Sequence, residues 1–318
     1  MPRNIKIDYR LLIKVSKLYY EKGLTQQDIS ERLMLSRPKV SRLLKQAEEL
    51  GIVKINILTQ PGDHTDLEDG LESKYGLKEA VVVEVSEAHS QNAVSREVGA
   101  AAAEYFARAV IDPCVIGISW GTTLHAMVDA IHAMDCRHSQ VVQLIGGLGK
   151  PESEAHATYI LRRLVAQIGS KLSILNVPGI VDNTIVKEAV LGDSHVRETF
   201  KIFSKIEIAF VGIGVPTQDS VVMRDGTILS QNQMQGLLKK GAIGDICLRY
   251  FDQQGQAIKS DVDDRVIGIT LDELKKIDRV VGVTGGPDKE MVIRAALTGK
   301  LVNVIITDQF SAQKLLKD

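Results

Sequence analysis

At 318 residues the chain has room for two domains of roughly 100–200 residues, and its 44% hydrophobic and 25% charged residues make the balance of a globular protein with a sizeable core. No run approaches the ~20 apolar residues that span a bilayer, and Met1–Lys6 lacks the apolar stretch of a signal peptide. Cys114, Cys136 and Cys247 have no metal-type spacing and read as reduced thiols, so a cytoplasmic protein without a membrane partner is expected.

The first elements are helical. Residues Asp8 to Glu21 place Leu11, Leu12, Val15, Leu18 and Tyr19 on one face, and Gly23 ends the helix. Thr25 opens a second helix with Asp28 in an approximate capping box. Met34-Leu35-Ser36 is the turn; Ser36 caps a third helix, Pro38 suits its first turn and Gly51 stops it. Val53 to Leu58 alternates like a short strand, and Gln60-Pro61-Gly62-Asp63 reads as a hinge. This predicts a helix-turn-helix domain over residues 1–60, with a short wing-like strand.

The remainder, 61–318, starts with a short polar helix over Thr65–Tyr75 whose few apolar residues predict packing on another domain or subunit. Strand-like runs follow at Ala80–Val85, Cys114–Ser119, Val141–Ile145, Leu172–Val177, Ile206–Val211, Ile246–Phe251, Arg279–Val283 and Val302–Thr307. Helical stretches at Ala93–Ala109, Ser153–Gln167, Asp182–Leu191 and Lys289–Leu297 alternate with them, so an α/β domain around a mainly parallel sheet is expected.

The net charge of −1 divides unevenly. Residues 1–60 carry 12 basic and 6 acidic side chains, leaving 27 and 34 to the rest. A basic head suits a polyanion, or is simply a solvated basic face. Between Leu24 and Val53, Leu24, Ile29, Leu33, Leu35, Val40, Leu43, Leu44 and Leu50 pack two helices across a tight turn. Ser36, Arg37, Lys39, Ser41, Arg42 and Lys45 are left facing outward, as a recognition helix in the major groove of operator DNA requires. Arginine pairs bidentately with guanine, while Lys39 and Lys45 suit phosphates.

Six glycine-bearing segments occur in a fixed order: Gly117–Thr123, Gln143–Gly147, Val211–Gly214, Gly241–Asp252, Thr284–Lys289 and Ala295–Asp308. With the head, they make the chain resemble the SorC family of sugar-responsive transcription regulators over essentially its whole length. That resemblance implies a C-terminal domain similar in fold to sugar-phosphate isomerases. It also implies homotetramers or homodimers on paired operator half-sites, and repression relieved by a phosphorylated sugar as effector, with no other cofactor.

Ligands in open α/β sheets settle beyond the carboxyl ends of strands. Ser119, Gly121, Thr122 and Thr123 follow one strand and open a helix, offering N–H groups, hydroxyls and a positive helix end to a phosphate; as a bland alternative they only make the turn and cap the helix. Gly146 and Gly147 let a bare backbone approach a ligand or make a tight turn, and the same holds for Gly212 and Gly214. Gly285 and Gly286 repeat the strand–glycine–helix pattern, and the resemblance makes Lys289 a phosphate contact. Asp245 is placed to accept from sugar hydroxyls, ahead of Asp252, which looks like a plain turn. Trp120 covers a sugar face or packs at a pocket edge, and Ile145, Leu148 and Met223 are candidates to shape the pocket. The histidines do not cluster, so no metal is expected. An isomerase with an attached DNA-binding head is the competing reading. No acid–base pair can be placed for it, and similarity of fold does not transfer activity, so a sensor and not an enzyme is expected.

Overall fold

The computed structural model of the chain describes residues 8–55, 62–87, 90–147, 151–217 and 229–317. It divides into two compact units, Met1–Pro61 and Gly62–Asp318.

In the first unit Asp8 caps α1 (Tyr9–Ser16), accepting the Leu11 N–H at 3.0 Å, and the helix runs on as a π turn over Lys17–Glu21. Thr25 and Asp28 complete a reciprocal capping box at the start of α2 (Gln26–Leu33). Met34 then takes the left-handed conformation (φ 53°), and α3 (Arg37–Glu49) follows. Val15, Leu18, Ile29, Val40 and Leu44 form the core of the three helices. Two expectations need correcting. Ser36 stands at the N-cap of α3, but its side chain makes no capping bond. The strand expected from Val53 does not form as far as Ile55, because the Ile52 and Val53 N–H groups both fold back onto the Ala47 carbonyl. Its last residues, Asn56 to Leu58, lie outside the described residues, as do Gln60 and Pro61 of the hinge.

The second unit begins with α4 (Thr65–Tyr75), which buries Leu71 against its own domain. Tyr75 donates to the Leu315 carbonyl at 2.9 Å. The strands are β1 (Glu79–Val83), β2 (Val115–Ile118), β3 (Gln140–Gln143), β4 (Lys171–Ser173) and β5 (Ile208–Val211), a separate pair β6 (Gly244–Ile246) and β7 (Arg249–Phe251), then β8 (Arg279–Val283) and β9 (Val304–Asp308). Seven of them form one parallel sheet in the order β1-β9-β8-β5-β2-β3-β4. Every residue of β5 and β9 is buried, as expected for parallel strands covered on both faces.

The helices between them are α5 (Gln91–Ala109), α6 (Thr122–Ala130), α7 (Pro151–Ile168), α8 (Thr184–Gly192), α9 (Ser194–Phe203), α10 (Gln231–Lys239), the short α11 (Asp261–Arg265) and α12 (Leu271–Leu274), α13 (Glu290–Thr298) and α14 (Gln309–Leu316). Two apolar clusters lie on the sheet, one around Phe106, Ile118 and Phe210, the other around Leu144, Val211 and Phe251. Gly99 lets α5 cross α6 closely, since a Cβ there would sit 2.7 Å from that of Ala126.

The run Ile246–Phe251 is not one strand. It is an antiparallel hairpin whose two turn residues, Cys247 (φ 55°) and Leu248 (φ 60°), are both left-handed. This is the geometry of a primed turn, whose twist matches that of the paired strands. Hydrophobic periodicity does not register such a turn when its residues are apolar and buried, as both of these are.

Candidate effector site and nucleic-acid interface

The strand order reverses at β2, which has β3 on one side and β5 on the other. Such a switch point opens a crevice beyond the carboxyl ends of the strands, where ligands of α/β proteins bind. Ser119 bridges it: its Oγ accepts the Gly212 N–H at 3.2 Å, and its own N–H reaches the Phe210 carbonyl at 3.1 Å. Gly121 (φ 155°) then turns the chain into α6, with open space where a Cβ would stand. Among the described residues no side chain caps this helix, which leaves the N–H groups of its first turn to an anion. Thr123 lies 9% exposed with its hydroxyl 3.3 Å from that of Ser95 on α5.

Lys289, at the N-cap of α13, closes the other side by donating to the Ile213 carbonyl at 2.7 Å. Burial lowers its pKa, and Asp245 opposes the shift. Asp245 sits in β6, not at the start of a longer strand. It exchanges both backbone bonds with Gly214 and accepts the Leu248 N–H at 3.2 Å. Burial pushes its carboxyl up to about 6, although the Leu248 N–H and Lys289 act the other way. A Cβ on Gly214 would lie 2.1 Å from the Asp245 carboxylate, so any larger residue there would have to displace that carboxylate. Burial also pushes the neighbouring Cys247 thiol up to about 12, and that thiol touches Ser119. Trp120 packs between the two apolar clusters, and its Nε1 is buried without a hydrogen-bond partner among the described residues.

Four segments therefore meet at the switch point: Ser119–Thr123, Gly212–Gly214, the hairpin with Asp245, and Lys289. The other glycines face elsewhere. The Gly146 and Gly147 N–H groups go to the Ile267 and Val177 carbonyls, and a Gly146 Cβ would stand 2.5 Å from the Val177 oxygen. Their bare backbones admit other backbone. Gly286 donates to Asp308 at 2.8 Å, and the Gly285 carbonyl accepts from Gln91 at 3.1 Å, so this pair is held by α5 and the end of β9. Ile145 is fully buried, and Leu148 and Met223 lie outside the described residues. Asp252 accepts the Gln254 and Gln256 N–H groups at 2.9 Å, as a turn residue does.

In the head, Ser36, Arg37, Lys39, Ser41, Arg42 and Lys45 are all exposed, opposite the buried Val40, Leu44 and Ala47. Arg42 Nε donates to the Pro38 carbonyl at 3.3 Å, which holds its guanidinium toward the start of the helix. Arg37 lines a surface hollow together with Thr25, Gln26 and Gln27 at the N-terminus of α2.

Residues 59–317 match the Sugar-bind family model, a sugar-binding domain, and residues 16–54 match a winged helix-turn-helix DNA-binding family. The deoxyribonucleoside regulator of Bacillus subtilis (strain 168) is 34% identical over 309 residues, covering 97% of this chain and 98% of that protein. The sorbitol operon regulator of Klebsiella pneumoniae is 30% identical over 320 residues, 98% of each chain. The crystal structure of that regulator superposes with a TM-score of 0.74 at 28% identity, covering 98% of this chain and 99% of the other.

The chain belongs to the SorC family. As a SorC-family protein it is a DNA-binding transcription regulator with a sugar-binding domain. Among the described residues no helix is long and apolar enough to cross a membrane. The residues that sequence reasoning missed are Gln91 and Ser95 on α5, which reach the β8 loop and Thr123. Only the start of a helix marks that position in the sequence, and its packing partners are 194 and 28 residues away.

Proposed function

We propose that this regulator is a cytoplasmic repressor, a homotetramer or homodimer, released from paired operator half-sites when its C-terminal domain binds a phosphorylated sugar. The carrying observation is the α6 N-terminus opened by Gly121 at the switch point, where Ser119 holds the Gly212 N–H and the Lys289 cation holds the next carbonyl, that of Ile213. Helix-end N–H groups and a buried ammonium are the parts a phosphate needs. Ser119, Thr122 and Thr123 add hydroxyls. Asp245 accepts from the sugar, and a polar ligand would supply the partner that Trp120 Nε1 lacks. Gly285, Gly286, Gly146 and Gly147 serve by shaping the loops around this site. The domain acts as a sensor and not an enzyme: its relatives are named as regulators, and Lys289 and Asp245 face each other inside the fold where they can bind without turning over a substrate.

At the other end, Arg42 reads base edges while Arg37 and the first turn of α2 grip phosphate. Lys39, Lys45, Ser36 and Ser41 hold the helix in register.

The test is operator binding by fluorescence anisotropy at fixed salt, with and without a panel of phosphorylated sugars and their unphosphorylated parents. A phosphorylated sugar that weakens binding about tenfold, ~1.4 kcal/mol of coupling, supports the reading. If only an unphosphorylated sugar acts, the phosphate assignment falls; if no sugar acts, so does the sensor.

A further inference from the structure

Two of the segments that meet at the switch point stand on strands that are not neighbours. The Ser119–Thr123 turn follows β2 and the turn leading to Lys289 follows β8, with β5 between them. Each is fastened to the segment leaving β5: Ser119 Oγ accepts the Gly212 N–H, and Lys289 Nζ donates to the Ile213 carbonyl. A third tie bypasses β5 altogether. Gln91, the first residue of α5, donates through Nε2 to the Gly285 carbonyl at 3.1 Å and to Ser95 Oγ at 3.4 Å. Ser95 Oγ in turn lies 3.3 Å from the Thr123 hydroxyl.

The tie fits closely at its β8 end. A Cβ on Gly286 (φ 118°) would stand 2.3 Å from Gln91 Oε1, and one on Gly285 would stand 3.1 Å from Val94 Cγ1 of the same helix. The Lys289 N–H bonds the Gly286 carbonyl at 3.2 Å, so the position of this turn sets where the ammonium starts from. At the other end Thr123 is the second residue of α6, within the turn whose N–H groups face the crevice. These bonds are not what holds α5 in place. Ala93, Val94, Val98, Ala102 and Phe106 bury its apolar face, and Gly99 lets it cross α6 closely, whereas Gln91 is exposed. An exposed amide whose bonds join the turns of two separated strands fixes a distance between them.

We infer that Gln91 is a positioning residue for the effector, acting through Ser95. The pair holds the first turn of α6 at a fixed spacing from the Lys289 turn, so that one sugar phosphate engages both without first having to order them. The inference rests on the effector reading above and adds to it a residue that lies outside the loops of the crevice.

Operator release by the phosphorylated sugars of the anisotropy panel tests it, with the full chain throughout. Gln91→Ala should keep the operator affinity and melting temperature of the wild type and raise the sugar-phosphate concentration for half-release about tenfold, the order of effect of one lost hydrogen bond. Gln91→Glu keeps the length of the side chain but has no N–H to give, so it should do the same. Asn92→Ala, on the exposed next residue, should change nothing. Ser95→Ala should act in the same direction as Gln91→Ala. The double variant should lose no more than the worse of the two, because both substitutions cut one chain of bonds; independent packing defects would multiply. Wild-type half-release in Gln91→Ala, losses that multiply in the double variant, or a melting temperature that falls with the response would each overturn the inference and leave the effector reading standing. A wild type that no sugar phosphate releases removes both.

Discussion

Asp245 shows how one buried carboxyl can set a pH dependence. Its folded pKa, about 6, lies above the ordinary aspartate value of 3.8, so the folded state holds the proton more tightly. The stabilisation from that proton is complete below the unfolded pKa and is lost as pH rises through the folded one. Between pH 5 and pH 7 the loss amounts to about 1–2 kcal/mol. Asp245→Asn should therefore flatten the stability profile of the second unit across this window. Urea denaturation of both proteins at the two pH values checks it, and parallel profiles would refute the assignment. In the head, Met34 is 93% exposed and left-handed at φ 53°. A side chain that packs on nothing in that conformation costs about 1 kcal/mol, so Met34→Gly should stabilise the helix-turn-helix unit by up to about that amount. Denaturation followed in the isolated unit would show the gain if it folds alone; otherwise hydrogen exchange of α2 and α3 in the full chain would show it.

At the scale of elements, the sheet edge at β1 depends on the preceding helix. Among the described residues β1 pairs only with β9, and its outward N–H groups at Ala80 and Val82 donate to Glu72 and Glu68 of α4, at 2.9 and 2.8 Å. An open edge is a template for aggregation, and two carboxylates close this one. Glu72→Ala should cost about 1–3 kcal/mol, the desolvation of one unpaired buried N–H, and raise light scattering on heating; an unchanged melting temperature would show that water replaces the carboxylate. Neither role of α4 was legible in its polar sequence, because both depend on partners that come next to it only after folding. The strands that are buried on both faces, such as β5 and β9, were legible as continuous apolar runs, and the capping box at Thr25 was read from spacing alone. Gly146 reads as a ligand approach or a tight turn, because a glycine after a strand looks the same whether ligand or backbone comes near it. Only the Val177 carbonyl, 2.5 Å from a Cβ there, separates the two. The hairpin turn at Cys247–Leu248 was hidden for the same kind of reason: its residues are apolar, and the left-handed backbone leaves no mark in periodicity.

For the whole molecule, the proposed switch is a linkage between the crevice at the end of β2 and the exposed face of α3. A sugar phosphate that lowers operator affinity by some factor must lose the same factor in its own affinity when operator is bound. Lys289 separates this from simple inhibition. Its ammonium lies in the second unit, bonded to the Ile213 carbonyl, so Lys289→Met should leave operator affinity and its salt dependence intact while raising the sugar-phosphate concentration needed for release. Arg42→Ala should do the reverse, weakening operator binding with unchanged sugar-phosphate affinity. Lys45→Ala should lower the slope of log K against log salt by about 0.9 if that side chain neutralises one phosphate. Removing the lysine also strips Asp245 of the cation that opposes the rise in its pKa. Part of any loss of induction would then come from a rearranged crevice and not from the missing phosphate contact. Lys289→Arg resolves the two, since it keeps a cation near Asp245 but presents a planar fork where a point charge stood. If Met and Arg variants lose induction equally while both retain the melting temperature of the parent, the ammonium contacts the effector. If arginine restores induction, charge near Asp245 is what matters. Normal induction in Lys289→Met would remove this residue from the site altogether.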